Sequence, residues 1–116
     1  KEQWSEDDIK KYEQHPIQSV NIIKKRKMIL APEAVKAIEQ HHERYDGKGF
    51  PNRLQAQKIT LEAQILSFAD QLSYLTRIEE GKKIYSLEDA VKEITSNHSL
   101  APDFNIHMRK LFNVSL

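Results

Sequence analysis

Apolar residues recur at steps of three and four along most of the chain, which is the repeat of helices buried on one face. Ser5-Glu6-Asp7-Asp8 reads as a capping box, opening a short helix over about residues 6–14 whose apolar stripe is Trp4, Ile9 and Tyr12. His15-Pro16 restarts the chain, because proline fits a first helical turn, and Ile17, Val20 and Ile23 or Lys24 give the next helix its inner face. Ala31-Pro32-Glu33 opens a third helix, in which Val35, Ile38 and His42 share a stripe while His41 lies about 100° round from it. The stretch Asp46-Gly47-Lys48-Gly49-Phe50-Pro51-Asn52 is the clearest loop. Thr60 caps the longest predicted helix, about residues 61–80, with Leu61, Ile65, Phe68, Ala69, Leu72 and Leu75 on one face and Gly81 ending it. Ser86-Leu87-Glu88-Asp89 is a second capping box for a helix burying Leu87, Ala90, Val91 and Ile94, and Asp103 caps a last short helix through Phe112.

Composition supports this pattern. Three glycines and four prolines leave little material for the tight turns of an all-β fold, so the expected class is all-α with six to seven helices. A length of 116 residues suits one domain. Eighteen basic against 17 acidic residues give a net charge of +1, which provides no electrostatic case for a nucleic-acid polymer or an anionic membrane. No apolar run approaches the roughly 20 residues of a membrane span, and no signal peptide is evident, so a cytoplasmic protein without membrane contact is expected. The absence of cysteine excludes disulfides, thiolate metal sites and a cysteine nucleophile. Metal chemistry here must use His, Asp or Glu.

Four residues stand out on that basis: His15, the doublet His41-His42, and Asp70. Adjacent histidines at a helix end can straddle a site, both serving one metal or one each serving two close metals; the alternative is a hydrogen-bonded helix end. Asp70 falls between Ala69 and Leu72 in the predicted apolar face, where a carboxylate is costly unless paired or coordinated. His98 and His107 sit in polar contexts and read as surface residues.

The combination is more specific than its members. His41-His42-Glu43-Arg44-Tyr45-Asp46-Gly47-Lys48-Gly49-Phe50-Pro51, followed by Ile59-Thr60-Leu61-Glu62-Ala63-Gln64-Ile65-Leu66 and Ala69-Asp70, and preceded by His15-Pro16, resembles the HD-GYP family over most of the chain. That resemblance implies an HD-domain-like helical bundle and a metal-dependent phosphodiesterase of cyclic di-GMP. It makes His15, His41, His42 and Asp70 ligands of a centre of two or three divalent metals, usually iron or manganese, that activates water for attack on phosphorus. It places Asp46, Gly47, Gly49, Phe50 and Pro51 in a lip over the substrate, with Arg77 and Lys82 as the basic groups beyond the long helix. A diguanylate-cyclase-type protein is an implied partner, and a truncated domain that exposes surface its missing helices would cover, Trp4, Ile9 and Val20 among it, is expected to allow a homodimer.

The sequence also departs from the family pattern. It contains no His-Asp pair, the doublet that would precede Trp4, so residues 1–116 are expected to be the C-terminal portion of a single such domain, inactive in isolation. Phe50 replaces a tyrosine, keeping the ring but losing the phenolic donor. Glu79 stands near an expected arginine, Gln64 near another, and Ser73 near a second aspartate. The competing reading is therefore a divergent, non-catalytic regulatory or protein-binding module of the same fold.

Overall fold

A computed structural model of the chain describes residues 4–26 and 29–115. Among the described residues six α-helices follow in order: α1 (Glu6–Glu13), α2 (His15–Lys25), α3 (Pro32–Gln40), α4 (Leu61–Thr76), α5 (Leu87–Ser96) and α6 (Pro102–Leu111), with a 3-10 turn at Ala56–Lys58 between α3 and α4. There is no strand among the described residues. The all-α expectation holds, and most boundaries follow local chemistry. The Ser5 hydroxyl accepts from the Asp8 N–H while Asp8 accepts from the Ser5 N–H, completing the predicted box. Thr60 caps α4 through the Ala63 N–H, and Ser86 caps α5 through the Asp89 N–H.

The helices contact one another in chain order, α1 on α2, α2 on α3, α3 on α4, α4 on α5 and α5 on α6. Sequential packing gives an elongated body of 44 × 35 × 25 Å. Its radius of gyration is 15.3 Å, against roughly 13 Å for a compact globule of this length. The core lies between α4, α5 and α6, where Phe68, Val91, Ile94, Leu100, Phe104 and Val114 are buried and Leu72, Leu75, Met108 and Phe112 close around them. Phe68 meets Phe104 edge-on at 6.1 Å between ring centroids.

Several expectations are corrected. Helix α4 ends at Thr76, not near Glu80, because Arg77 is extended; Gly81, at φ +78°, sits in a later turn. Its inner face carries Ala63, Gln64, Ser67 and Phe68, whereas Leu61, Ile65 and Ala69 are exposed. Leu87 is also exposed. Helix α6 begins at Pro102 behind Ala101, so Asp103 lies inside its first turn and does not cap it. Helix α1 buries none of its residues, and its stripe instead offers Trp4 and Tyr12 to ring contacts.

Ile94 has no exposed surface. Ile94→Ala is expected to cost about 2–5 kcal/mol in chemical denaturation followed by circular dichroism. Ile78→Ala, at a residue 85% exposed, is expected to stay within about 0.5 kcal/mol of the parent.

Candidate metal centre

The approach of α2 to α3 brings the N-terminus of one helix to the C-terminus of the other, and three histidines meet there. His15 is the first residue of α2, His41 caps the end of α3, and His42 follows it. One ligand nitrogen from each lies within 4.8 Å of the other two. Ring centroids are 5.9 Å apart for His15 and His41, 4.7 Å for His15 and His42, and 4.1 Å for His41 and His42.

Helix ends set the chemistry of two of these rings. Pro16 has no N–H to offer the Tyr12 carbonyl four residues back. The His15 Nδ1 fills that place at 2.6 Å. Helix α3 stops at Gln40, leaving carbonyls of its last turn without helical partners, and the His41 Nδ1 bonds the Ile38 carbonyl at 2.6 Å. A carbonyl only accepts, so each Nδ1 carries the proton and each neutral ring keeps its Nε2 lone pair for a ligand. Backbone carbonyls commonly play this supporting part behind metal-binding histidines.

His42 is held differently. Its ring stacks on Phe50 at 4.9 Å and 13°, and its carbonyl accepts from the Phe50 N–H at 3.1 Å. That return of the loop requires Gly49, because a Cβ there would lie 2.3 Å from the His42 carbonyl oxygen and 2.4 Å from the Arg44 nitrogen. Gly47, at φ +81°, makes the turn that precedes it. The loop is pinned from beneath by Glu43, which is 2% exposed and accepts from the Asn52 N–H at 2.7 Å and the Leu54 N–H at 2.8 Å. It is tied sideways by the Tyr45 and Asp46 N–H groups, which donate to the Ser99 and His98 carbonyls.

Asp46 organises the loop tip. Its carboxylate accepts from the Lys48 N–H at 3.0 Å and pairs with the Arg44 guanidinium at 3.3 Å. Burial pushes this carboxyl up, but the Lys48 N–H and the Arg44 and Lys48 charges outweigh burial and hold it below its ordinary 3.8.

Sequence-predicted residues are distributed as follows. His15, His41 and His42 form one cluster. Asp70 is exposed and outside that three-histidine group, but it lines a cavity of about 280 Å3 together with His41, His42, Gly49 and Phe50. Arg77 lines a neighbouring cavity of about 420 Å3 that also receives Asp70. Lys82 places its ammonium 5.0 Å from the centre of the Tyr74 ring. Asp46, Gly47 and Pro51 shape the loop behind the first cavity. His98 and His107 are exposed, as expected.

Three participants were not picked out from sequence. Tyr12 lies 5.0 Å from His15, 6.3 Å from His42 and 5.5 Å from Phe50. Its position three residues before His15 was the available signal, since that spacing puts two side chains on one face. Arg44 and Lys48 bring positive charge to the cavity beside His41 and His42.

The chain is thus a helical domain that gathers three histidines between two helix ends. Residues 1–103 match the HD domain family. The chain belongs to that family, in its HD-GYP branch, whose members are metal-dependent phosphodiesterases. It is 38% identical over 52 residues to the cyclic di-GMP phosphodiesterase response regulator of Xanthomonas campestris pv. campestris, covering 45% of this chain and 14% of that protein. It is 36% identical over 86 residues to the 3'3'-cGAMP-specific phosphodiesterase 2 of Vibrio cholerae, covering 74% and 16%. It is 36% identical over 56 residues to the cyclic di-GMP phosphodiesterase of Thermotoga maritima, covering 48% and 15%. The matched stretches thus span about one-sixth or less of these relatives.

Glu43→Ala removes the carboxylate that accepts from the Asn52 and Leu54 N–H groups and is expected to destabilise the fold by on the order of 2 kcal/mol, measured by urea denaturation. A carboxyl lowered on folding contributes stability that is fully present above its unfolded value and is lost as pH falls through the folded one. The Lys48 amide resonance is therefore expected to titrate below pH 3.8, and Asp46→Asn is expected to abolish that titration.

Proposed function

We propose that this chain forms part of a metal-dependent phosphodiesterase site for a cyclic dinucleotide. The observation that carries the reading is the convergence of His15, His41 and His42, two of them fixed in the tautomer that presents Nε2. The donor set suits a divalent ion: three neutral imidazoles match the preferences of iron, manganese or zinc. His15, His41 and His42 would hold it, with Asp70 a carboxylate bordering the cavity of His41 and His42. Such a centre, of two or three ions in its full form, supplies an activated water and neutralises charge on phosphate oxygens.

The remaining roles belong to the chain. Lys48 and Arg44 border the cavity beside the histidines and attract the anionic phosphodiester, Arg44 sharing its charge with Asp46. Phe50 and Tyr12 wall the cluster with rings, which excludes bulk water from one side. Gln71 and Ser67, hydrogen-bonded to each other at 3.1 Å, form a polar wall on α4. Arg77 and Lys82 lie further out, where the Glu79 carboxylate 3.8 Å from Arg77 offsets part of that positive charge.

Cyclic di-GMP and 3'3'-cGAMP are the substrates in the relatives' names, and both are cyclic dinucleotides. The second reading, a non-catalytic module that docks a diguanylate-cyclase-type protein or a second copy of itself, is favoured by one observation: the Glu79 carboxylate lies 3.8 Å from Arg77 and offsets the positive charge that a phosphate ligand needs.

Metal analysis after loading with ferrous iron or manganese, paired with chromatography of cyclic di-GMP hydrolysis by the protein at its full natural length, separates the two. His15→Ala and His42→Ala are each expected to weaken metal binding by roughly tenfold or more, and to abolish turnover. Unchanged metal content in both variants would overturn the ligand assignment, and metal retention without turnover would favour the docking module.

A further inference from the structure

A cavity of about 400 Å3 lies between the C-terminal end of α5, the helix α6 and the Tyr45 side chain, and it shares no lining residue with the cavity at His41 and His42. Its walls are mostly apolar, with buried Leu100, half-buried Tyr45 and exposed Pro102 and Ile106 around it. Among the described residues no carboxylate side chain lines it. The turn after α5 forms its rim and also reaches the loop of the metal centre, because the His98 and Ser99 carbonyls accept from the Asp46 and Tyr45 N–H groups at 3.2 and 2.8 Å.

Arg109 brings the charge to this cavity. Its Nε donates to the Thr95 hydroxyl at 2.7 Å, its Nη2 to the Ser96 hydroxyl at 2.9 Å and its Nη1 to the Ser115 carbonyl at 2.7 Å. All three acceptors are neutral, and among the described residues no carboxylate forms an ion pair with the guanidinium. These bonds fix the planar fork and leave two of its five N–H groups open. The Ser96 oxygen is the acceptor in its bond with Arg109, so the Ser96 hydroxyl keeps its own hydrogen for a further partner. The Thr95 hydroxyl, by contrast, donates to the Val91 carbonyl at 2.6 Å.

We propose that this cavity binds a small monocarboxylate with an apolar body of about one ring, its carboxylate on Arg109 and Ser96 and its body against Leu100, Ile106 and Tyr45. A guanidinium fork matches the two oxygens of a carboxylate, and a half-buried cation with only neutral partners gains more from an anion than an exposed one already paired. The apolar walls set the class of ligand. Acetate or inorganic phosphate would leave them uncovered, whereas a ring on a short chain removes their apolar surface from water. A mostly apolar space with a few placed polar groups is the usual form of a small-molecule site, and about 400 Å3 lies within its size range. This site stands apart from the phosphodiesterase reading, since none of its groups serves the histidine cluster.

The test is a two-dimensional NMR titration of the protein, kept metal-free with a chelator, against 3-phenylpropionate, its uncharged amide 3-phenylpropionamide, and acetate. The aromatic acid is expected to bind at least about tenfold more tightly than either of the others, as a charged hydrogen-bond pair and a buried ring each require. The amide resonances of Tyr45, Ser96 and Ile106 are expected to shift, together with that of Asp46, which the His98 carbonyl holds. Arg109→Gln is expected to weaken binding at least about tenfold. Because Arg109 also ties α5 to the C-terminal segment, Ile106→Glu supplies the second variant: it sets a like charge beside the cavity from an exposed position and is expected to weaken the acid at least about tenfold with native circular dichroism. His42→Ala is expected to bind the acid as the parent does, so failure of the metal centre leaves this result standing. Equal affinity for the acid and its amide, unchanged acid binding in Ile106→Glu, or shifts centred on the histidine cavity would overturn the proposal.

Discussion

A single buried carboxylate holds the site together. Glu43 sits directly after the histidine doublet and reaches the backbone 9 and 11 residues ahead, accepting from Asn52 and Leu54. Taking a carboxylate out of water is costly unless its oxygens are satisfied, and two N–H donors to one anion make strong hydrogen bonds. Once that bond pair forms, the loop can only return over the end of α3, Gly49 must pass against the His42 and Arg44 backbone, and Phe50 arrives on the His42 ring. Gln40 does a similar job one turn earlier, its Oε1 accepting from the Thr60 N–H at 2.9 Å and fixing where α4 starts. The loop is therefore positioned by buried polar anchors rather than by an apolar core of its own.

Helix termini do the second part of the work. A histidine placed where a helix ends can bond a carbonyl of that helix's last turn, and the bond selects the tautomer with Nε2 outward. This happens twice, at Tyr12 with His15 and at Ile38 with His41. The two ends come from different helices, so the packing of α2 on α3 decides the distance between the ligand atoms. Site geometry and helix packing are one problem here, which is why a domain with sequential, elongated packing can still hold three imidazoles together.

Legibility in the sequence followed the range of the interaction. Ser5, Thr60 and Ser86 caps depend on three-residue hydrogen bonds, and the sequence reading located all three. The core residues of α5 were legible because Ala90, Val91 and Ile94 face one side of a helix with a regular stripe. Helix α4 misled the reading because two of its own buried residues, Gln64 and Ser67, are polar. Gln64, deeply buried, accepts from the Ala101 N–H at 2.9 Å to anchor the start of α6, a partner 37 positions away that no periodicity reveals. Glu43 was visible only as a letter in a motif, since nothing local says that its oxygens meet Asn52 and Leu54. Tyr12 was assigned to the apolar stripe of α1, a helix that buries none of its residues, and its ring lies against the histidines.

Those polar residues on α4 change the meaning of Asp70. The sequence placed it in the middle of an apolar face, where its charge would demand a partner. In the fold, Gln64, Ser67 and Gln71 form a polar stripe at steps of three and four, running from the start of α6 to the wall of the histidine cavity, with Asp70 beside its end. The apolar side carrying Phe68 and Leu72 faces the core with α5 and α6. An exposed carboxylate at the end of a polar stripe keeps its hydration and needs no buried partner. Its exposure is thus the state a carboxylate bordering two water-accessible cavities should have, and the same helix supports the core with one side while serving both cavities with the other.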